Sequence, residues 1–331
     1  MDPLTHTATG LFLSRAGLNR WTPQAAPILL LAANAPDIDI ATLAGGSLNY
    51  LHWHRSITHS LIAMPLMALL PVVLVRLVGR KPVRWGGAFA ASLLAVASHL
   101  LLDWTNAYGV RFLSPFSERW FQLDLTSLFD LWIWGVLLLA VVAPMLGRMV
   151  SSEISSGTVR PRHYGRGFAC FALAFLLLYN CGRSVLHARA IATLDARVYH
   201  GFAPSRVAAF PRINPWQWRG LVETPDFDAV ADVNLLENFD PSRAAIFQKP
   251  DPDPALDAAR RTHVFQEFLQ FSQFPLWRVS PAPDLDNGKL VELLDLRFGN
   301  PLAPGFMAGA LVDSGLHVVR TEYMWGIPQP R

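Results

Sequence analysis

Four long apolar runs, at about residues 57–78, 85–102, 125–146 and 167–186, constrain this chain more than any other feature. Each is close to the ~20 residues that cross the hydrocarbon core of a bilayer as a helix. Inside that core every backbone amide must find a partner within its own segment, so such runs fold as helices. Two shorter apolar segments, 3–18 and 23–33, precede them and read as a helical hairpin buried among the longer helices. Composition agrees, with 52% of 331 residues hydrophobic and 16% charged, against about 25% charged in soluble domains. A net charge of +3, spread over many short basic turns, argues against a nucleic-acid partner.

Those basic turns carry topology. Arg15 and Arg20 form one group, Arg76, Arg80, Lys81 and Arg84 a second, and Arg148, Arg160, Arg162 and Arg166 a third. Threading the helices up and down places all three on one side, the cytoplasmic one by the positive-inside rule. His6, Asp37, Asp39, His54, His59, His99, Asp103 and Asp124 then fall together on the opposite side, as does the C-terminal segment. Met1-Asp2-Pro3 offers no basic start and no early cleavage site, so no cleavable signal peptide is expected. Cys170 and Cys181 share one apolar run about 16 Å apart along a helix, too far to bridge.

From about residue 200 Pro, Asp and Asn become frequent and the long apolar runs stop. Strands are expected at 220–223, 290–298 and 317–323, and one amphipathic helix at 255–271. The expected architecture is mostly α. A helical membrane domain fills residues 1–199 and a small extramembrane α+β domain fills 200–331.

The polar residues between the runs point to metal chemistry. His52-Trp53-His54-Arg55-Ser56-Ile57-Thr58-His59-Ser60 concentrates imidazole, the commonest metal-binding side chain. His59 is expected in the first turn of the helix that follows, and His54 on the loop before it. His99 and Asp103 stand at i and i+4, one turn apart on a helix face. Asp37 and Asp39, at i and i+2 on an extended segment, would point the same way. With His6 from an adjacent helix, this mixed nitrogen and oxygen set suits zinc, with manganese or iron as alternatives. So many ligands exceed one tetrahedral ion, so two or more ions are expected. Asp124, Asn106 and Ser60 are candidates to orient the ligands. Arg55 either pairs with Asp39 or contacts an anionic substrate.

Singly, each residue has an ordinary structural reading. His52 suits a membrane interface, Asp37 a helix cap, Asp103 a helix end, and Tyr108 and Trp104 an aromatic belt. Together they are harder to explain as structure, because ionisable groups at membrane depth are costly.

Four segments in this order carry a resemblance: Met1-Asp2-Pro3-Leu4-Thr5-His6, Pro36-Asp37-Ile38-Asp39, His54 to Ser60, and His99-Leu100-Leu101-Leu102-Asp103. They resemble the bacterial inner-membrane metal-dependent hydrolases, relatives of the LexA-binding membrane hydrolase. The loop from Tyr108-Gly109 to Pro115-Phe116-Ser117 is also similar. The resemblance covers residues 1 to about 150 and loosens toward 200. Ser56 stands where many relatives have Gly. The motif logic is similar to that of zinc-dependent phospholipase C, a helical enzyme with a trinuclear zinc site of His and Asp ligands. The resemblance implies a bacterial inner-membrane hydrolase of a phosphoester, with a phospholipid as one such substrate. On this reading His6, Asp37, Asp39, His54, His59, His99 and Asp103 are ligands, Asp124 is the general base and Arg55 assists catalysis. A non-catalytic alternative is a metal-stabilised membrane scaffold that binds a protein partner through its C-terminal domain. A metal transporter ranks last, because the clusters sit at helix ends rather than mid-span.

Overall fold

The computed structural model describes residues 1–154, 165–282 and 285–325. Arg160 and Arg162 of the third basic group lie outside them. In chain order the helices of the first half are α1 (Pro3–Ala16), α2 (Ala25–Ala32), α3 (Ser47–Trp53), α4 (Met64–Gly79), α5 (Trp85–Trp104), α6 (Leu131–Ile154) and α7 (Arg166–Asp195). Contacts sort the described residues into two compact units. One holds Met1–Ile38 and Arg55–Leu186; the other holds Asp39–His54 and the residues from His187 onward.

In the first unit, α1 begins where Pro3 and the Asp2 cap dictate. The Asp2 carboxylate accepts hydrogen bonds from the Leu4 and Thr5 amides, two of the donors that a helix start leaves unpaired. α1 and α2 form the expected hairpin, and the two approach closely at Gly10. A Cβ there would meet the Leu29 carbonyl oxygen at 2.5 Å. Small residues serve α5 in the same way. Ala88, Ala91, Ser92 and Ala95 are fully buried, and the Ser92 hydroxyl donates to the Ala68 carbonyl of α4 at 2.6 Å. Such surfaces let helix backbones pack closely inside a membrane. Leu77, Leu138 and Leu177 instead point outward, each 65–69% exposed, as lipid-facing residues do. α5 and α7 are long and apolar enough to cross a membrane. Cys170 and Cys181 of α7 are free thiols.

Two expectations for this half are corrected. The run 57–78 is not one helix: Ile57–His59 is a 3-10 turn and α4 starts only at Met64. Ser60 causes the break. Its backbone is extended, and its hydroxyl donates to the Ile57 carbonyl while accepting from the Ala63 amide. His59 therefore precedes the helix. Nor are residues 37–50 extended and looped, because Ala35–Gly45 is 3-10 helix and α3 follows.

The second unit carries two antiparallel four-stranded sheets. The first is a meander, β1 (Arg206–Pro211), β2 (Gln217–Glu223), β3 (Phe227–Asn234) and β4 (Ala245–Gln248). α8 (Pro254–Arg260) and α9 (His263–Phe271) come next. The strands that follow are β5 (Pro275–Pro281), β6 (Lys289–Asp295), the short pair β7 (Gly299–Asn300) and β8 (Ala303–Pro304), β9 (Phe306–Val312) and β10 (Val318–Trp325). The second sheet has the order β10-β9-β6-β5. α9 buries Phe265, Phe268 and Phe271 and packs on β9 and β10. α3 belongs to this unit, where His52 Nδ1 lies 2.6 Å from Glu267 Oε2 of α9. "Mostly α" thus describes the first unit, whereas the second is β-rich. The single helix expected at 255–271 is two. The Thr262 backbone is extended and its hydroxyl donates to the Ala259 carbonyl, which closes α8 before α9 begins.

Candidate metal centre

His99 fixes the geometry of the centre. It lies one turn before Asp103 at the end of α5, and both are fully buried. Its Nδ1 is 2.7 Å from the Ala33 carbonyl oxygen. A carbonyl only accepts, so Nδ1 carries the proton and Nε2 presents a lone pair. That lone pair faces His59 Nε2 at 3.1 Å. Asp103 Oδ2 lies 3.3 Å from the His99 nitrogen and 3.4 Å from the His59 nitrogen. Asp37 Oδ1 closes the group at 3.6 and 3.5 Å from the same two atoms.

Asp37, His59, His99 and Asp103 thus offer four ligand atoms all within 4.8 Å of one another. Ligands held 2.0–2.1 Å from a tetrahedral zinc ion are about 3.4 Å apart, so the observed separations fit one such ion. Further observations agree. Asp103 Oδ2 is buried without a hydrogen bond, and the His59 ring is held by the Thr58 hydroxyl, 3.0 Å from Nδ1. Imidazole ligands braced through their second nitrogen are the usual pattern around bound metals.

The other expected residues are placed as follows. His6 stacks on His99 with ring centroids 3.8 Å apart, and its Nε2 is 3.3 Å from Asp103 Oδ1. It adjoins the four-residue group without being part of it. The Met1 amino group also bonds Asp103 Oδ1. Asp39 and His54 fall in the second unit, where His54 Nδ1 lies 3.2 Å from each Asp39 carboxylate oxygen. The 3-10 backbone explains why the two aspartates part. At three residues per turn, positions i and i+2 point in different directions.

Arg55 is buried and sits in the left-handed region, at φ 53°, a conformation that costs energy in a bulky residue. Its Nη2 donates to Asp103 Oδ1 at 2.9 Å, and its Nη1 to Asn106 Oδ1 at 3.0 Å and the Gly109 carbonyl at 3.2 Å. The Tyr108 ring lies 5.0 Å from the guanidinium carbon and packs on this network. Asp124 has φ 56° and sits between Leu123 and Leu125, whose amides donate to the Trp104 and Thr105 carbonyls. That places Asp124 beside the end of α5. Sequence reasoning missed the Ala33 carbonyl and the bracing role of Thr58. A backbone acceptor leaves no trace in residue identity, whereas a hydroxyl next to a ligating histidine was a readable signal.

The family description YdjM inner membrane protein matches residues 1–190, the stretch that carries all of these residues. The chain belongs to this family. It is also similar to the uncharacterized protein YfhP of Bacillus subtilis (strain 168), at 26% identity across 98% of this chain and 94% of the relative. No solved structure matches it. An inner-membrane location therefore joins the apolar helices and the buried cluster as a property of the chain.

Proposed function

We propose that this protein is an integral-membrane metal-dependent hydrolase that cleaves a phosphoester or another ester on the extracytoplasmic side. The observation that carries the reading is the convergence of two imidazole nitrogens and two carboxylate oxygens, three of the four side chains fully buried. Without a cation such a cluster is expensive to bury. The ligand types favour zinc, with manganese or iron as alternatives. A bound divalent ion supplies Lewis acidity and a water of lowered pKa.

The chain's own residues supply the rest. Asp37, at 24% exposure, is the ligand that reaches the surface, and substrate approaches on its side. Arg55 holds the Asp103 carboxylate in place and is a positioning residue. His6 offers a nitrogen beside Asp103 for a further coordination position or a proton. Asp124, on the loop beside α5, is the candidate general base.

One observation favours the scaffold alternative. Four protein ligands close a tetrahedron, as in structural zinc sites, whereas catalytic sites keep a position open. Elemental analysis of detergent-purified protein beside His59→Ala and Asp103→Ala, with a screen of phosphoester substrates, separates the readings. Metal lost in both variants together with turnover supports the hydrolase. Metal and thermal stability lost together, with no substrate turned over by the wild type, supports the scaffold. No metal in the wild type overturns both.

A further inference from the structure

A groove of about 180 Å³ runs between α1 and α6. Leu4, Ala8, Trp134, Leu137, Leu138 and Val141 line it, with Thr5 at one end. Both helices start at that end. Trp134 Nε1 donates to the Asp2 carboxylate at 2.9 Å, and the Thr5 hydroxyl donates to the same oxygen at 2.6 Å. From Trp134 to Val141 the groove then follows α6 for about 10 Å, lined by carbon. It is therefore polar where the two helices begin and apolar along its length.

Two features say what occupies it. The groove opens onto outward leucines, with Leu4 62% and Leu138 65% exposed, so it is continuous with the lipid-facing surface of the membrane unit. Its polar end also gives it a direction: a molecule with its tail along α6 has its polar part at the helix starts, beside Asp2, Thr5 and Trp134.

We propose that the groove holds one acyl chain of a bilayer phospholipid. Native mass spectrometry of the full chain in detergent, with dioleoyl phosphatidylglycerol added, tests the groove. The wild type is expected to retain one lipid. Ala8→Trp fills the groove and is expected to reduce retention at least tenfold. Leu138→Trp fills it from the exposed rim, which guards against misfolding of the first variant. Leu177→Trp, on the outward face of α7, is expected to change nothing. Equal retention in all four proteins, or equal loss in Leu177→Trp, means annular lipid only and overturns the proposal.

Discussion

His99 turns a lone pair toward His59 Nε2 across 3.1 Å, because its other nitrogen is committed to the Ala33 carbonyl. Only a proton or a cation between the rings makes that contact favourable. A cation bound to the folded state alone also stabilises it, by about 2.7 kcal/mol at a hundredfold excess over Kd. Chelation is therefore expected to lower the thermal midpoint of the wild type and not that of His59→Ala or His99→Ala. Differential scanning fluorimetry with and without zinc or manganese checks this. Equal chelator sensitivity in all three proteins would refute the assignment.

Thr58 braces His59 through the ring nitrogen that faces away from the cluster. Loss of such a support costs about 10–100-fold in metal affinity. Thr58→Val is expected to weaken zinc binding by about tenfold and leave helix content unchanged, as competition with a chromogenic chelator and circular dichroism would show. Thr58→Ser, which keeps the hydroxyl, is expected to restore most of the affinity.

Arg55 and Asp103 form a buried ion pair at 2.9 Å. Removing one partner of such a pair costs about 3–5 kcal/mol when the other charge is left alone; the Met1 amino group still contacts Asp103, which puts the cost at the low end. Arg55→Leu is expected to destabilise by that amount in chelator-treated protein and by less with metal present, since the ion also neutralises Asp103. Arg55→Lys should not rescue fully. A lysine ammonium cannot reproduce the fork that reaches Asp103, Asn106 and Gly109 together. Urea unfolding with and without metal reads both differences.

In the second unit, burial pushes the Asp228 carboxyl up to about 6 from 3.8, and Lys249 only partly opposes this. Between those values the folded chain holds a proton that the unfolded chain has lost. Asp228 thus leaves stability untouched below the ordinary carboxylate range. It subtracts progressively as pH rises from about 4 to 6, and fully above that. At about 1.4 kcal/mol per pKa unit the effect is on the order of 2–3 kcal/mol. Asp228→Asn is expected to raise the thermal midpoint at pH 7.5 and flatten its dependence between pH 4 and 6. A midpoint unchanged at pH 7.5 would contradict this account.

The apolar helices and the residues of the centre were readable because both follow simple spacings. Asp37, His59, His99 and Asp103 were all marked by the sequence, and the i and i+4 pair on α5 behaves as that spacing implies. Asp39 was misread because identity does not distinguish an extended segment from a 3-10 one. In the second unit, β9 reads Phe-Met-Ala-Gly-Ala-Leu-Val and is buried almost throughout, so it shows none of the alternation that marks a half-exposed strand. β1 and β3 went unmarked as well; each carries two alanines, a residue depleted in strands. Val318–Trp325, which was anticipated, keeps Arg320 and Glu322 on one face.

α3 lies between Asp37 and His59 in the chain, yet it packs on α9 and β10. A protein cut back to the 190 residues that define the family would keep all four ligands and lose what α3 rests on. The stretch joining two ligands would then be free, and closing it would add an entropic penalty to every binding event. Ion affinities measured on such a fragment would understate those of the whole chain.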